Sequence, residues 1–190
     1  MTTQSTRLTL AGQLLVAMPQ MRDPRFERTV IYLCAHNKDG ALGLIVNKPF
    51  KRLGFEDLLE QLEIERTPRT RQIRVLSGGP VEEGRGFVLH SDDYLREDSL
   101  KVDGGFALTA TIEILKAIAQ GEGPEHSLLA LGYSGWGPGQ LEREIGENGW
   151  LNVPADAALV FDETLDRKWE RALAVLKLTP GSLSGFAGRA

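Results

Sequence analysis

Residues 29–46 constrain the fold of this chain more than any other stretch. Thr29 to Ala35 is apolar on both alternating faces, with Val30, Tyr32 and Cys34 opposite Ile31 and Leu33. Such a strand needs cover on two sides, which places it inside a sheet rather than on a surface. Asn37-Lys38-Asp39-Gly40 follows, and then the β-prone run Ala41 to Val46. An Asp-Gly pair between two such runs predicts a hairpin, because these residues tolerate positive φ. The N-terminal half is therefore built around sheet.

Further strands are expected at Gln13 to Met18, Ile73 to Leu76, Gly86 to His90 and Ser127 to Leu131. Short strand candidates follow at Trp150 to Val153 and Ala158 to Phe161. Pro19 to Phe26 contains Asp23-Pro24 and reads as a loop. Phe55, Leu58, Leu59 and Leu62 fall on one helical stripe, with Glu56 and Asp57 in the first turn, where carboxylates complement the helix dipole. Thr109 or Thr111 is placed to cap a second helix running to about Ala119. Leu141 and Ile145 suit a short helix. Leu165, Trp169, Ala172, Leu173 and Leu176 stripe a C-terminal one, with Asp162 or Thr164 as its cap. Residues 1–6 are polar and expected to fray. The chain reads as one domain over 1–190, with a Gly/Ser-rich flexible tail from about 180 to 190.

The 190 residues carry a net charge of -4 and a sequence pI near 5.5, which disfavours a dedicated nucleic-acid binder. Basic residues do cluster at Lys48, Lys51 and Arg52, and again at Arg66, Arg69, Arg71 and Arg74. No export signal and no apolar run of membrane-spanning length is visible, so a cytoplasmic location is expected. Cys34, the sole cysteine, excludes an intramolecular disulfide and reads as a small core hydrophobe.

The run Gly132-Tyr133-Ser134-Gly135-Trp136-Gly137-Pro138-Gly139-Gln140 carries the strongest hint of a site. A glycine-dense turn between a strand and a helix lets backbone approach a ligand closely. It fails as a nucleophile elbow, because Trp136 stands where the final glycine of Gly-x-Ser-x-Gly is needed. It fails as a phosphate cradle too, because Gln140 replaces the Lys of a P-loop and Glu142 and Glu144 would repel an anion. His90-Ser91-Asp92-Asp93 brings triad residue types together, but sequence neighbours on a strand point to opposite faces. For a metal, Cys34 and His36 are the one close pair, expected on a single strand face; no second pair completes a ligand set, so no metal and no cofactor are expected.

With these segments in view, the chain resembles the AlgH/YqgE family of bacterial cytoplasmic proteins of unknown function. The likeness is carried by Gly12 to Pro19, Met21-x-Asp23-Pro24-x-Phe26, Val30 to His36, Gly40 to Asn47, Gly78 to Val81, Gly86 to Ser91 and Gly132 to Ile145. The resemblance implies an α+β fold: a bifurcated mixed β-sheet with a small closed barrel, surrounded by helices. It also carries an association with transcriptional control, which no helix-turn-helix signal accompanies here.

The leading expectation is a non-catalytic binding or regulatory protein, with no catalytic residues assigned. Its ligand site would combine Tyr133, Gly135, Trp136 and Gln140 with Met21, Asp23, Phe26 and His90, for an unknown protein or small-molecule partner. Trp136 would supply an aromatic platform, Asp23 a charge and the glycines backbone access. Two rivals stand beside it. One is a hydrolase with His90 as general base and Asp23 or Asp92 as its acid. The other is nucleic-acid binding through the basic loops.

Overall fold

The computed structural model describes residues 9–184; the expected fraying of residues 1–6 lies outside them. Nine strands form a mixed sheet: β1 Gln13–Ala17, β2 Val30–Asn37, β3 Gly40–Ile45, β4 Arg74–Ser77, β5 Val81–Ser91, β6 Ser99–Val102, β7 Phe106–Thr109, β8 Ser127–Trp136 and β9 Trp150–Pro154. Six helices accompany them: α1 Phe55–Gln61, α2 Ile112–Ala119, α3 Gln140–Gly146, α4 Ala157–Val160, α5 Lys168–Val175 and α6 Pro180–Ser184. The α+β expectation holds. The main path runs β6-β7-β5-β8-β3-β2-β1-β9 and is open at both ends, so the closed barrel implied by the resemblance is replaced by a curled, open sheet.

The β2–β3 hairpin forms as its turn residues require, with Asn37 opposite Gly40. Asn37 Oδ1 accepts from the Asp39 N–H at 2.8 Å, an Asx turn that closes it. The strand is central as its two apolar faces demand, paired with β3 on one side and β1 on the other. Its two faces feed two different cores. Tyr32 and Cys34 join the largest cluster, under α5, while Ile31 and Leu33 pack with Trp136, Leu141 and Trp150.

β8 is the strand on which the sheet forks. Its first half lies between β4, parallel, and β5, antiparallel; its second half pairs β3. The Gly78-Gly79 turn after β4 passes directly over the backbone of Gly132 and Tyr133 at the fork. Gly132 has φ +77, and a Cβ there would stand 2.5 Å from the Gly79 carbonyl oxygen. Only glycine meets both demands.

Several expectations change. Gly132 to Trp136 is not a turn but the continuation of β8; the chain turns only at Gly137-Pro138-Gly139. Ala158 to Phe161 lies in α4 and the turn that ends it rather than in a strand, because Asp156 Oδ1 caps the helix by accepting from the Ala158 N–H at 2.9 Å. Thr111 is the N-cap position of α2, and Thr164 precedes a 3-10 turn, Leu165–Arg167, that leads into α5. Within the expected tail, Pro180–Ser184 forms α6 with Leu183 buried in the largest core; residues 185–190 lie outside the described chain. No helix among the described residues is long and apolar enough to cross a membrane.

Candidate functional site

The eight residues expected to form one ligand site are distributed over several faces. Met21 and Phe26 pack against the cluster that holds Trp136 and Trp150. Phe26 and Trp136 both meet the Trp150 ring edge-on, with centroids 5.8 and 6.0 Å away. Trp136 is therefore core filling, not an open platform. Asp23, in the same loop, is clamped by its neighbour: Arg25 Nη2 reaches Asp23 Oδ2 at 2.7 Å and holds the carboxyl below the usual carboxylate range. Tyr133 packs on the opposite core, edge-on to Phe87. Gly135 is an exposed strand residue.

Gln140 stabilises the start of α3. Its Oε1 accepts from the Gly137 N–H at 3.0 Å, and its Nε2 donates to Glu144 Oε2 at 3.0 Å. Glu144 in turn accepts from the Trp150 indole N–H at 3.1 Å. Ser134 is buried and donates to the Gly78 carbonyl. The loop signature is thus largely structural, a corner fastened from both sides.

His90 lies on β5, fully buried, and its ring bonds fix its chemistry. Nδ1 faces the Ser91 carbonyl oxygen at 2.8 Å, so Nδ1 carries the proton. Nε2 then accepts from Thr109 Oγ1 at 2.8 Å. Thr109, its hydrogen used, accepts from Ser99 Oγ at 2.9 Å, and Ser99 Oγ accepts from the Arg96 N–H at 3.1 Å. Every donor direction in this chain is determined from its ends. Burial pushes the imidazolium pKa down, against smaller opposing effects of the Ser91 carbonyl and of Asp93 and Asp92. Among the described residues no carboxylate hydrogen-bonds the ring, so His90 is not placed as a general base with Asp23 or Asp92. Ser91, meanwhile, donates to Asp93 and accepts from the His126 N–H, which makes residues 91–93 a tied polar turn.

The strand pair Cys34-x-His36 is also separated. A bulge between Leu33 and Ala35 shifts the β2 register by one residue. Cys34 stays in the largest core, with burial pushing its thiol up to about 12, while His36 turns to the other face. There it lines a groove of about 460 Å³ with Leu10, Asn37, Lys38, Glu142 and Ile145. The Leu10 N–H donates to His36 Nδ1 at 3.1 Å, so the ring is the Nε2–H tautomer and donates to Glu142 Oε1 at 2.7 Å. Reasoning from the sequence missed this pair; the signal for it was a lone histidine at a hairpin mouth and a glutamate in the first turn of α3.

A larger cleft of about 680 Å³ lies between α2 and the loop before β6. Lys116 pairs with Glu113 there at 3.4 Å, Thr111 donates to Asp98, and Arg96 Nε donates to the Tyr94 hydroxyl at 3.2 Å. Three of the four arginines of the second basic cluster have partners. Arg66 meets Glu56 at 3.0 Å, and Arg71 and Arg74 donate to the carbonyls of Pro124 and Glu163.

Comparison with known proteins places this architecture. Residues 14–181 match the family model described as AlgH-like. A UPF0301 protein of Beijerinckia indica is 55% identical, over 99% of this chain and 96% of its own length. One of Methylocella silvestris is 56% identical over 95% of this chain and 92% of its own. The solution structure of the AlgH protein from Pseudomonas aeruginosa superposes with a TM-score of 0.77 at 41% identity, covering 100% of this chain and 98% of that one. A crystal structure of a Corynebacterium diphtheriae protein shares the fold at 20% identity, with a TM-score of 0.71 over 90% of this chain and 89% of that one.

Proposed function

The chain belongs to the AlgH-like family, and from the geometry of its signature corner we propose that it acts by binding, as a non-catalytic regulatory protein, rather than by turnover. The binding surface in this reading is the groove between the mouth of the β2–β3 hairpin and α3. One observation carries it: the groove combines apolar walls, Leu10 and Ile145, with a histidine whose two ring nitrogens are both engaged. Such a site can recognise shape and hydrogen bonding, yet it offers no uncommitted imidazole nitrogen for proton transfer. Of the residues expected from the sequence, Met21, Phe26 and Trp136 form the packed support behind this corner and Gln140 fixes its helix.

The occupant that fits is a mixed one, an apolar side chain or moiety flanked by groups that hydrogen-bond at Lys38, Asn37 and Glu142. A protein partner supplying such a segment would connect the groove to the regulatory association of the family, and a small molecule of the same character would fill it equally well. The test compares wild type with Ile145→Arg, which places a charge on the groove wall at a partly buried residue that also packs against the Trp136 cluster, so matching circular dichroism and cooperative melting of the two proteins are established first. A thermal-shift screen of a metabolite library, run beside cross-linked capture from the native cell, reads out both kinds of partner. Ligand shifts or captured proteins that disappear with Ile145→Arg are the expected outcome. Identical shifts and identical captures for both proteins would remove the groove from consideration.

A further inference from the structure

Lys168, the first residue of α5, is 1% exposed and has no carboxylate within 4 Å among the described residues. Its Nζ donates to two carbonyl oxygens, Val46 at 2.8 Å and Val160 at 2.7 Å. Val46 follows β3 and Val160 ends α4, so each carbonyl lies where its element stops, a position that calls for a partner from outside the element. An ammonium has three protons, and two of them are accounted for. The side chain lines a small cavity of about 40 Å³. Arg74 reaches the same cavity, and its Nη2 donates to the Glu163 carbonyl oxygen at 2.9 Å. The other charged residues facing it are Asp162 and Glu163. Asp162 is already held by Arg171 and by the Thr164 N–H, and Glu163 is exposed.

We propose that this cavity is a binding site for one small anion, held between the third proton of the Lys168 ammonium and the Arg74 guanidinium. Size sets the class. A cavity this small has room for about one to three water-sized spheres, which admits chloride, formate or bicarbonate and excludes a nucleotide or a phosphate ester. Charge argues the same way. Two cations, Lys168 buried and Arg74 exposed, line one cavity whose nearer carboxylate, Asp162, is committed to Arg171, and an anion there converts mutual repulsion into two attractive contacts. Neither backbone bond of Lys168 has to break.

Burial first, and Arg74 second, push the empty-site lysine down to about 8. An anion favours the charged form, so binding above that pH is accompanied by proton uptake. Affinity therefore weakens as pH rises.

The experiment follows the melting midpoint of the full chain as sodium gluconate is exchanged for sodium chloride, formate or bicarbonate at constant ionic strength. At pH 7 at least one of the three is expected to raise the midpoint saturably. Arg74→Gln, a change at an exposed residue, is expected to weaken that response about tenfold or more. At pH 9.5 the apparent affinity of the wild type falls by about an order of magnitude or more, because only a minority of the lysine is still charged. Lys168→Met, if it folds, loses the saturable response altogether. A flat titration with all three anions overturns the proposal, and so does a response unchanged by Arg74→Gln.

Discussion

At the residue scale, this protein uses its polar side chains chiefly to close bonds rather than to leave them open. His90 is the clearest case. The sequence places it beside Ser91 and Asp92, which reads as catalytic vocabulary, but strand neighbours face opposite sides and only the fold could name Thr109 and Ser99 as its partners. That separation is invisible in a linear sequence because β5 and β7 meet only in the sheet. The consequence is a pH dependence. The folded-state pKa of His90 lies below its ordinary value of 6.5, so the stability it contributes is present above pH 6.5 and is lost as pH falls through the depressed value. Urea unfolding at stepped pH from 7.5 to 5 is expected to show wild-type stability declining. In His90→Gln, which keeps an acceptor and a donor but does not titrate, the decline is expected to be shallower. Parallel curves would show that the acid response arises elsewhere.

Elements were more legible than residues. The β2–β3 hairpin, α1, α2 and the C-terminal stripe follow from period and turn chemistry alone, because their signals are local. β8 was misread for an equally local reason: Gly132, Gly135, Gly137 and Gly139 look like one flexible loop, whereas the first two belong to a strand. Gly132 is needed there for a close approach from a turn some fifty residues earlier, which no window of sequence reveals. The two roles of glycine separate by mutation. Gly132→Ala meets both a left-handed backbone and the Gly79 carbonyl oxygen, and should cost at least about 2 kcal/mol. Gly139→Ala has a similar φ of +70 but nothing within 4 Å of its Cβ, so only the conformational cost of about 1 kcal/mol remains. Equal losses in chemical denaturation would mean that the fork does not crowd Gly132. The bulge at Leu33/Ala35 is a second element-scale device that patterning misses, and it decides that His36 faces the groove instead of Cys34.

On the scale of the whole molecule, the curled sheet buries three titratable groups whose effects on alkaline stability oppose one another. Lys168 sits at about 8 when folded against 10.5 when free, so its contribution is complete above pH 10.5 and is lost as pH falls through 8. Stability should therefore climb from pH 8 at about 1.4 kcal/mol per pH unit. Cys34 acts in the other direction. Burial raises it from 9.0 to about 12, so its contribution is full below pH 9 and drains away above it. Tyr32, raised by burial and then by Cys34 and Asp103, adds a second loss beyond pH 10. The sum is a rise between pH 8 and 9, a plateau near 9 to 10 where lysine and thiol cancel, and a steep fall thereafter. Lys168→Met removes the rising limb and leaves a curve that only declines. Cys34→Ala removes one falling limb and extends the rise toward pH 10, at a packing cost in a core this closely filled. Denaturation midpoints at pH 7.5, 8.5, 9.5 and 10.5 distinguish the three curves. A wild-type curve that falls from pH 8 onward would mean that Lys168 keeps its proton through the alkaline range, as it would with an anion bound beside it, so the series is run in gluconate.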